Sequence, residues 1–270
     1  MLDSYFFIPG DKIKFLKKIE DLQSDFYVLD LEDSVSKKNK QSAFNNLIQI
    51  KVNDTTYVRI PFLDGSYTLN QRKELINHFE GRVVVPKIRN EHDFTEIIEQ
   101  HNTKFSLKSI VLVETPNCFI HLKDILSKHY KNIEGIGFGS HDFCSIMGTK
   151  HELKNLIHHK KDLILLAKAF GKSFIDSVDL NLKDFSNFHN ECLFAFENGA
   201  NGKFLIHPLQ LKEIKKVEYL SEKEKQKIMR VYHQIKSLNF DEIDIIEIDD
   251  EIYEMPHIIE IMNLYNRLTK

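Results

Sequence analysis

The chain has 270 residues, 42% of them hydrophobic and 29% charged, with a formal net charge of −3. That length serves one large domain or two small ones, and the composition is that of a globular enzyme or binding protein. No global field argues for a nucleic-acid partner, because lysine-rich stretches are interleaved with acids, and no apolar run approaches the roughly 20 residues of a membrane span. The opening "MLDSYFFIPGDK" has Asp3 where a signal peptide needs positive charge, and its apolar stretch is too short for one. Cys118, Cys144 and Cys192 are isolated from one another, so neither a disulfide scaffold nor a zinc knuckle is expected. The expectation is a reduced, cytoplasmic chain.

Short apolar runs rich in β-branched and aromatic residues recur along the chain. In order they are "SYFFIPG" (4–10), "FYVLDLED" (26–33), "TYVRIPF" (56–62) and "RVVVPKI" (82–88). They continue with "SIVLVETP" (109–116), "IEGIGFGSHDF" (133–143), "SFIDSV" (173–178) and "GKFLIHP" (202–208). Amphipathic stretches lie between them, such as "KFLKKIEDL" (14–22) and "DLILLAKAFG" (162–171), the latter with Gly171 at a helix C-terminal position. Near-continuous apolar strands alternating with helices predict parallel strands covered on both faces. Eight such units predict an α/β fold, a (β/α)8 TIM barrel over residues 1–212, with an open doubly wound sheet as the alternative on pattern alone. Residues 213–270 are predicted to form a C-terminal helical extension: a flap, a lid or a subunit-exchange arm. Within it "LSEKEKQKIMRVYHQIKS" opens with Ser221 and Glu224 at capping-box spacing and puts Ile228, Tyr232 and Ile235 on one helical face. A strongly acidic segment, "FDEIDIIEIDDEIYEMP", and an amphipathic helix, "HIIEIMNLYNRL", follow.

The eight runs share one habit: each ends on polar groups. The ends are "PGDK", "DLED", Arg59, Pro86-Lys87, Glu114, "GSHD" with Asp142, Asp176, and His207-Pro208. A single carboxylate at a strand end is more often a turn-former or helix cap. All eight together point to a polar site, because the C-terminal ends of barrel strands open on one face. Glu114 and Asp142 end successive strands, and two carboxylates with room for water suit Mg2+. The competing reading is that one of them only pairs with Lys87 or Arg59. The planar fork of Arg59 suits a substrate carboxylate. Asp30, Glu32 and Asp33 are expected to hold metal-bound water or orient Arg59, although Asp33 could equally be a turn residue. Several motifs are missing. "GIGFG" lacks the third glycine of a dinucleotide fingerprint, "GANGKF" is no Walker loop, and neither HExxH nor G-x-S-x-G occurs. His158-His159 sits in a lysine-rich stretch and reads as a solvated helix face.

The ordered motifs "FFIPGDKIKFLKK", "VLDLEDSV", "YVRIP", "VVPKI", "VET", "GFGSHDF", "FIDSV" and "GANGKFLIHPLQL" together resemble the citrate lyase β-subunit-like family. This family of the HpcH/HpaI aldolase superfamily includes the malyl-CoA and citramalyl-CoA lyases. The resemblance covers about residues 4 to 212, and "EIYEMPHI" is similar to the family's C-terminal Met-Ile-Asp-x-Pro segment. It implies a Mg2+-dependent barrel, usually a homotrimer, that cleaves or forms a carbon–carbon bond between an acetyl thioester and a 2-oxo acid. It further implies that Glu114 and Asp142 hold Mg2+ and that Arg59 binds the oxo-acid carboxylate. Asp30, Glu32, Asp33 and Lys87 would support them. Phe7, Lys14, Lys18, Ile206 and His207 would line the path of CoA, or of an acyl carrier protein thioester. Glu254 stands at the position of the acid–base Asp that a neighbouring subunit supplies. The sequence departs from the family there, since Glu254 is one methylene longer and follows Tyr253. It departs again at Lys12 and Ile13, where arginine and proline are usual, and at His141 before Asp142. A thioester hydrolase or synthase on the same site, and a non-catalytic acyl-CoA-binding subunit, are the alternatives.

Overall fold

In this computed structural model the described residues are 1–101, 103–236, 238 and 245–269, the side chain of Glu20 excepted. Each apolar run becomes a short strand: β1 (Asp3–Pro9), β2 (Phe26–Asp30), β3 (Thr56–Arg59), β4 (Arg82–Val85), β5 (Lys108–Val113), β6 (Ile133–Phe138), β7 (Ser173–Asp176) and β8 (Gly202–Leu205). All pair in parallel in chain order, and β1 closes on β8 through the register Tyr5↔Phe204. Of the two topologies open on pattern, the closed (β/α)8 barrel is the one formed. The helices are α1 (Ile13–Leu16), α2 (Lys40–Leu47), α3 (Leu69–His78), α4 (Glu91–Gln100), α5 (Pro116–His129), α6 (Ser140–Met147), α7 (Leu153–Ala169), α8 (Ser186–Glu197) and α9 (Pro208–Glu213). Local chemistry sets their ends. Thr115 caps α5 ahead of Pro116, and Gly171, at φ 65°, follows the end of α7.

Strand side chains alternate between the barrel interior and the helix layer. The inward set forms one cluster of Tyr5, Val28, Tyr57, Val84, Ile110, Leu112, Ile175 and Phe204, with Phe7, Phe26 and Val178 packed on it. Carried one step further along each strand, the same parity gives Phe7, Asp30, Arg59, Glu114 and Ile206. On β6 the inward positions are glycines, and a Cβ at Gly137 would stand 2.6 Å from the Phe204 ring. The missing side chain makes room for that phenylalanine.

The opposite parity explains a correction. The sequence places Asp176 among the polar strand ends facing the site, but Ile175 takes the inward position and Asp176 turns into the helix layer. There it is fully buried, Oδ1 at 2.9 Å from Lys160 Nζ and Oδ2 at 3.0 Å from Lys203 Nζ. Lys203 also reaches Glu191 Oε2 at 3.0 Å and donates to the Ser177 carbonyl at 2.8 Å. The lysine-rich stretch before it is likewise only partly solvated. His158 is exposed, His159 packs on Phe119 and Phe143, and Lys160 is fully buried.

Contacts divide the chain into two compact units, Leu2–Lys216 and Val217–Lys270 with Met1. The second contains α10 (Glu222–Ile235), a hairpin of β9 (Ile245–Ile248) and β10 (Glu251–Glu254), and α11 (Met255–Leu268). The hairpin falls in the acidic segment, to which the sequence assigned no element. Asp249 and Asp250, at φ 54° and 62°, supply the two left-handed residues a tight two-residue turn requires. Residues 240–244 of that segment, and Ser237 of the preceding helical run, lie outside the described residues. Ser221 and Glu224 form the capping box at the start of α10. Ile228, Val231, Ile235, Ile248, Tyr253, Ile258 and Ile261 make the unit's own core. Tyr232 is only partly buried and stacks on Tyr265. No described helix is long and apolar enough to cross a membrane.

Candidate active site

A cavity of about 390 Å3 opens over the interior cluster. Its lining combines apolar groups, Leu112, Phe138, Val178, Leu180 and Phe204, with polar ones, Asp30, Asp33, Arg59, Glu114, His141 and Asp142. Phe7 and Ile206 complete the lining.

Arg59, the last residue of β3, is gripped by Asp30, the last residue of β2. Nε donates to Oδ1 at 2.6 Å and Nη2 to Oδ2 at 2.7 Å. The fork offered by sequence to a substrate carboxylate is thus spent on Asp30. What remains is Nη1, 3.1 Å from Glu32 Oε2 and 4.0 Å from Glu114 Oε1. The Phe7 ring lies 5.0 Å from the guanidinium carbon. Burial alone would raise the Asp30 carboxyl, but Arg59, Ser34 and the Glu32 N–H hold it below the usual carboxylate range. Burial likewise opposes the Arg59 charge, and Asp30 and Glu32 more than offset it, so its pKa stands above the ordinary value.

Lys87 has φ 55°, uncommon for a residue with a Cβ. That backbone turn aims its N–H at Glu114 Oε2, 3.1 Å away. Its ammonium sits 2.8 Å from Glu32 Oε1 and 2.7 Å from Asp33 Oδ1, and these hydrogen bonds raise its pKa against the effect of burial. Glu32 is itself pushed up by burial, with Arg59 and Lys87 only partly compensating.

Glu114 follows β5 in sequence and keeps the inward parity. It packs so closely on Gly139 that a Cβ there would stand 2.2 Å from Glu114 Cγ. Burial first, then the charges of Glu32 and Asp142, push its carboxyl up to about 8, with Arg59 pulling the other way. Asp142 is half-buried in the first turn of α6 and lines the same cavity.

Not every expected site residue gathers here. Lys14 and Lys18 line a separate groove of about 640 Å3 made by residues 11–18. His207 begins α9 and accepts the Leu209 N–H on Nδ1 at 3.2 Å. Glu254 belongs to the C-terminal unit, where it ends β10 at the cap position of α11 and donates its N–H to His257 Nδ1 at 3.2 Å. Conversely, Ser34, Ser140 and His151 were not singled out by sequence. The spacing of Asp30 and Ser34 in "DLEDS" carried a signal, since Ser34 donates to Asp30 at 2.5 Å. His151, whose Nε2 lies 2.7 Å from Ser140 Oγ, carried none, because a loop must fold back to bring it there.

A family model described as HpcH/HpaI aldolase/citrate lyase matches residues 3–208. The chain belongs to this family. Among relatives, the citrate lyase subunit beta of Leuconostoc mesenteroides subsp. cremoris is 24% identical over 279 residues, 96% of this chain and 92% of the relative. A (3S)-malyl-CoA thioesterase of Cereibacter sphaeroides is 27% identical over 216 residues, covering 77% of this chain and 74% of the relative. Among solved structures, the protein CitE of Mycobacterium tuberculosis, in complex with magnesium, acetoacetate and coenzyme A, aligns with a TM-score of 0.79 at 21% identity. That alignment covers 100% of this chain and 98% of the other.

For a member of the HpcH/HpaI aldolase/citrate lyase family, the fit to a divalent cation can be tested on the donor set. Asp30, Asp33, Glu114 and Asp142 line the cavity with Arg59, and Glu32 and Lys87 adjoin them, an excess of negative charge. Single oxygens of Glu32, Asp33 and Glu114 lie within 4.8 Å of one another. Glu32 and Asp33 are already engaged by Lys87, whereas Glu114 has one backbone N–H and a distant Arg59. An all-oxygen, over-negative set with a buried and poorly compensated carboxylate fits a hard cation such as Mg2+.

Proposed function

We propose that the protein is a Mg2+-dependent carbon–carbon lyase acting on a 3-hydroxyacyl thioester, which it splits into an acetyl thioester and a 2-oxo acid. The observation that carries this reading is the meeting of Glu114, Asp142 and Arg59 in one half-apolar cavity of a family member. Glu114 and Asp142 would hold the cation, with Glu32 and Asp33 beside them. When bound, the cation supplies Lewis acidity to the substrate's hydroxyl and carboxylate oxygens.

The chain's own groups do the rest. Asp30 fixes Arg59, so that Nη1 offers one oriented positive donor to the carboxylate end of the substrate. Arg59 and Lys87 partly offset the burial that pushes the Glu32 carboxyl up. The apolar lining residues Leu112, Phe138 and Phe204 would exclude water from the acyl end. As the hydroxyl proton passes to solvent, its O–H electrons form the new carbonyl. The carbon–carbon bond breaks, and its electron pair becomes the thioester enolate. One proton delivered to that carbon completes the acetyl thioester, and the family resemblance assigns the delivery to Glu254. The same reading assigns Lys14, Lys18 and His207 to the thioester carrier, and a homotrimer to the assembly.

The test is product analysis by mass spectrometry on purified protein with Mg2+ and a panel of malyl, citramalyl and citryl thioesters. An acetyl thioester and a 2-oxo acid are expected; a hydroxy acid with released thiol would instead make the protein a hydrolase. Glu114→Ala and Asp142→Ala should abolish the metal-dependent reaction. Arg59→Lys, which cannot keep both bonds to Asp30, should lower kcat/KM by about 100-fold. Near-normal activity of Arg59→Lys would remove Arg59 from the site.

A further inference from the structure

The first turn of α6 carries Ser140, His141 and Asp142, and the residue before it, at the cap position, is Gly139, which has no side chain to cap the helix. Something else must fix this turn. His151, from the loop between α6 and α7, folds back onto it at two points. Its ring stacks on that of His141 with centroids 3.7 Å apart and planes 6° from parallel. Its Nε2 lies 2.7 Å from Ser140 Oγ. Ser140 and His141 both line the cavity beside Asp142, and Ser140 is buried. His141 Nε2 is buried without a hydrogen-bond partner, so packing on His151 supplies an orienting contact that this nitrogen does not.

We propose that His151 is a positioning residue, clamping the Ser140–Asp142 turn so that the Asp142 carboxylate stays in cation-binding geometry. This rests on the metal reading of Glu114 and Asp142 and adds to it a residue that touches neither ligand. Without His151, His141 loses its stacking partner and Ser140 its hydrogen bond. The turn then keeps its backbone bonds and the hydrogen bond of the His141 ring to the Val178 backbone but loses both contacts to the loop, and a shift of about 0.5 Å is enough to spoil a constellation of this kind.

The test titrates metal-free protein with Mn2+, a hard-cation probe, and reads unbound Mn2+ by electron paramagnetic resonance, without turnover. H151A should weaken Mn2+ binding by about 10- to 100-fold, the usual effect of losing a group that orients a ligand. S140A should weaken it by a smaller factor, and the H151A/S140A double variant should bind no worse than H151A, because both remove the same bond. H151Q, which retains a hydrogen-bonding group for Ser140, should recover part of the loss. Thermal unfolding of the metal-free variants controls for the fold; if H151A does not fold, S140A and H151Q carry the test alone. H151A binding Mn2+ as tightly as the unaltered chain, or S140A and H151Q both doing so where H151A is lost, overturns the positioning role and leaves the metal reading intact. An unaltered chain that binds no Mn2+ overturns the metal reading, and this inference with it.

Discussion

Glu114 is a carboxylate placed where the fold resists its charge. Burial, Glu32 and Asp142 lift its carboxyl from 4.5 to about 8. Between those values the folded chain keeps a proton that the unfolded chain has lost. Its contribution to stability is therefore fully present at low pH, falls as pH rises through that window, and levels off above about 8. Glu114→Gln removes this dependence. In metal-free urea unfolding, the Gln variant should gain stability relative to the unaltered chain as pH rises from about 5 to about 9. A difference that stays constant with pH would mean the carboxylate is already compensated. The position of Glu114 was legible in "SIVLVETP" as an acid closing an apolar run. The spending of the Arg59 fork on Asp30 was not, because both residues look like ligand groups until the register Asp30↔Arg59 sets them side by side.

At the scale of the element, the deciding variable is strand parity. Glu114 and Asp176 both close apolar runs, but Leu112 and Glu114 share the inward parity while Ile175 takes it on β7. Asp176 therefore faces α7 and α8, where Lys160 and Lys203 balance it and Glu191. Reading strand ends without counting parity groups the two acids together, and a lysine on a helix pattern gives no hint that it is buried. Lys203→Met leaves two carboxylates in the helix layer with one cation between them. The expected loss is about 3–5 kcal/mol, measured by urea unfolding at neutral pH. A loss under about 1 kcal/mol would show that Lys160 alone suffices. The β9–β10 hairpin escaped notice for a related reason. Its turn is Asp249-Asp250 rather than the familiar Asn-Gly, and acids hide the alternation that buries Ile248 and Tyr253.

At the scale of the whole molecule, the barrel was legible because its unit repeats. Eight strand runs leave few ways to bury two apolar faces, so an error in any single run would not have changed the answer. The unit boundary at Lys216 follows from separate cores. The cluster around Tyr5 and Phe204 belongs to one unit, and that around Val231 and Ile258 to the other. Every described residue lining the candidate cavity lies within Leu2–Lys216. A fragment of residues 1–216 is therefore expected to show barrel-like circular dichroism, to unfold cooperatively, and to bind Mn2+ within about threefold of the full chain, since it keeps every proposed ligand and orienting group. It should not turn over thioester, because it lacks Glu254. Loss of Mn2+ binding in a folded fragment would mean that the cation site needs more than the barrel. Retained turnover would move proton delivery from Glu254 to a group on the barrel itself, and Glu254→Gln in the intact chain would then be silent as well.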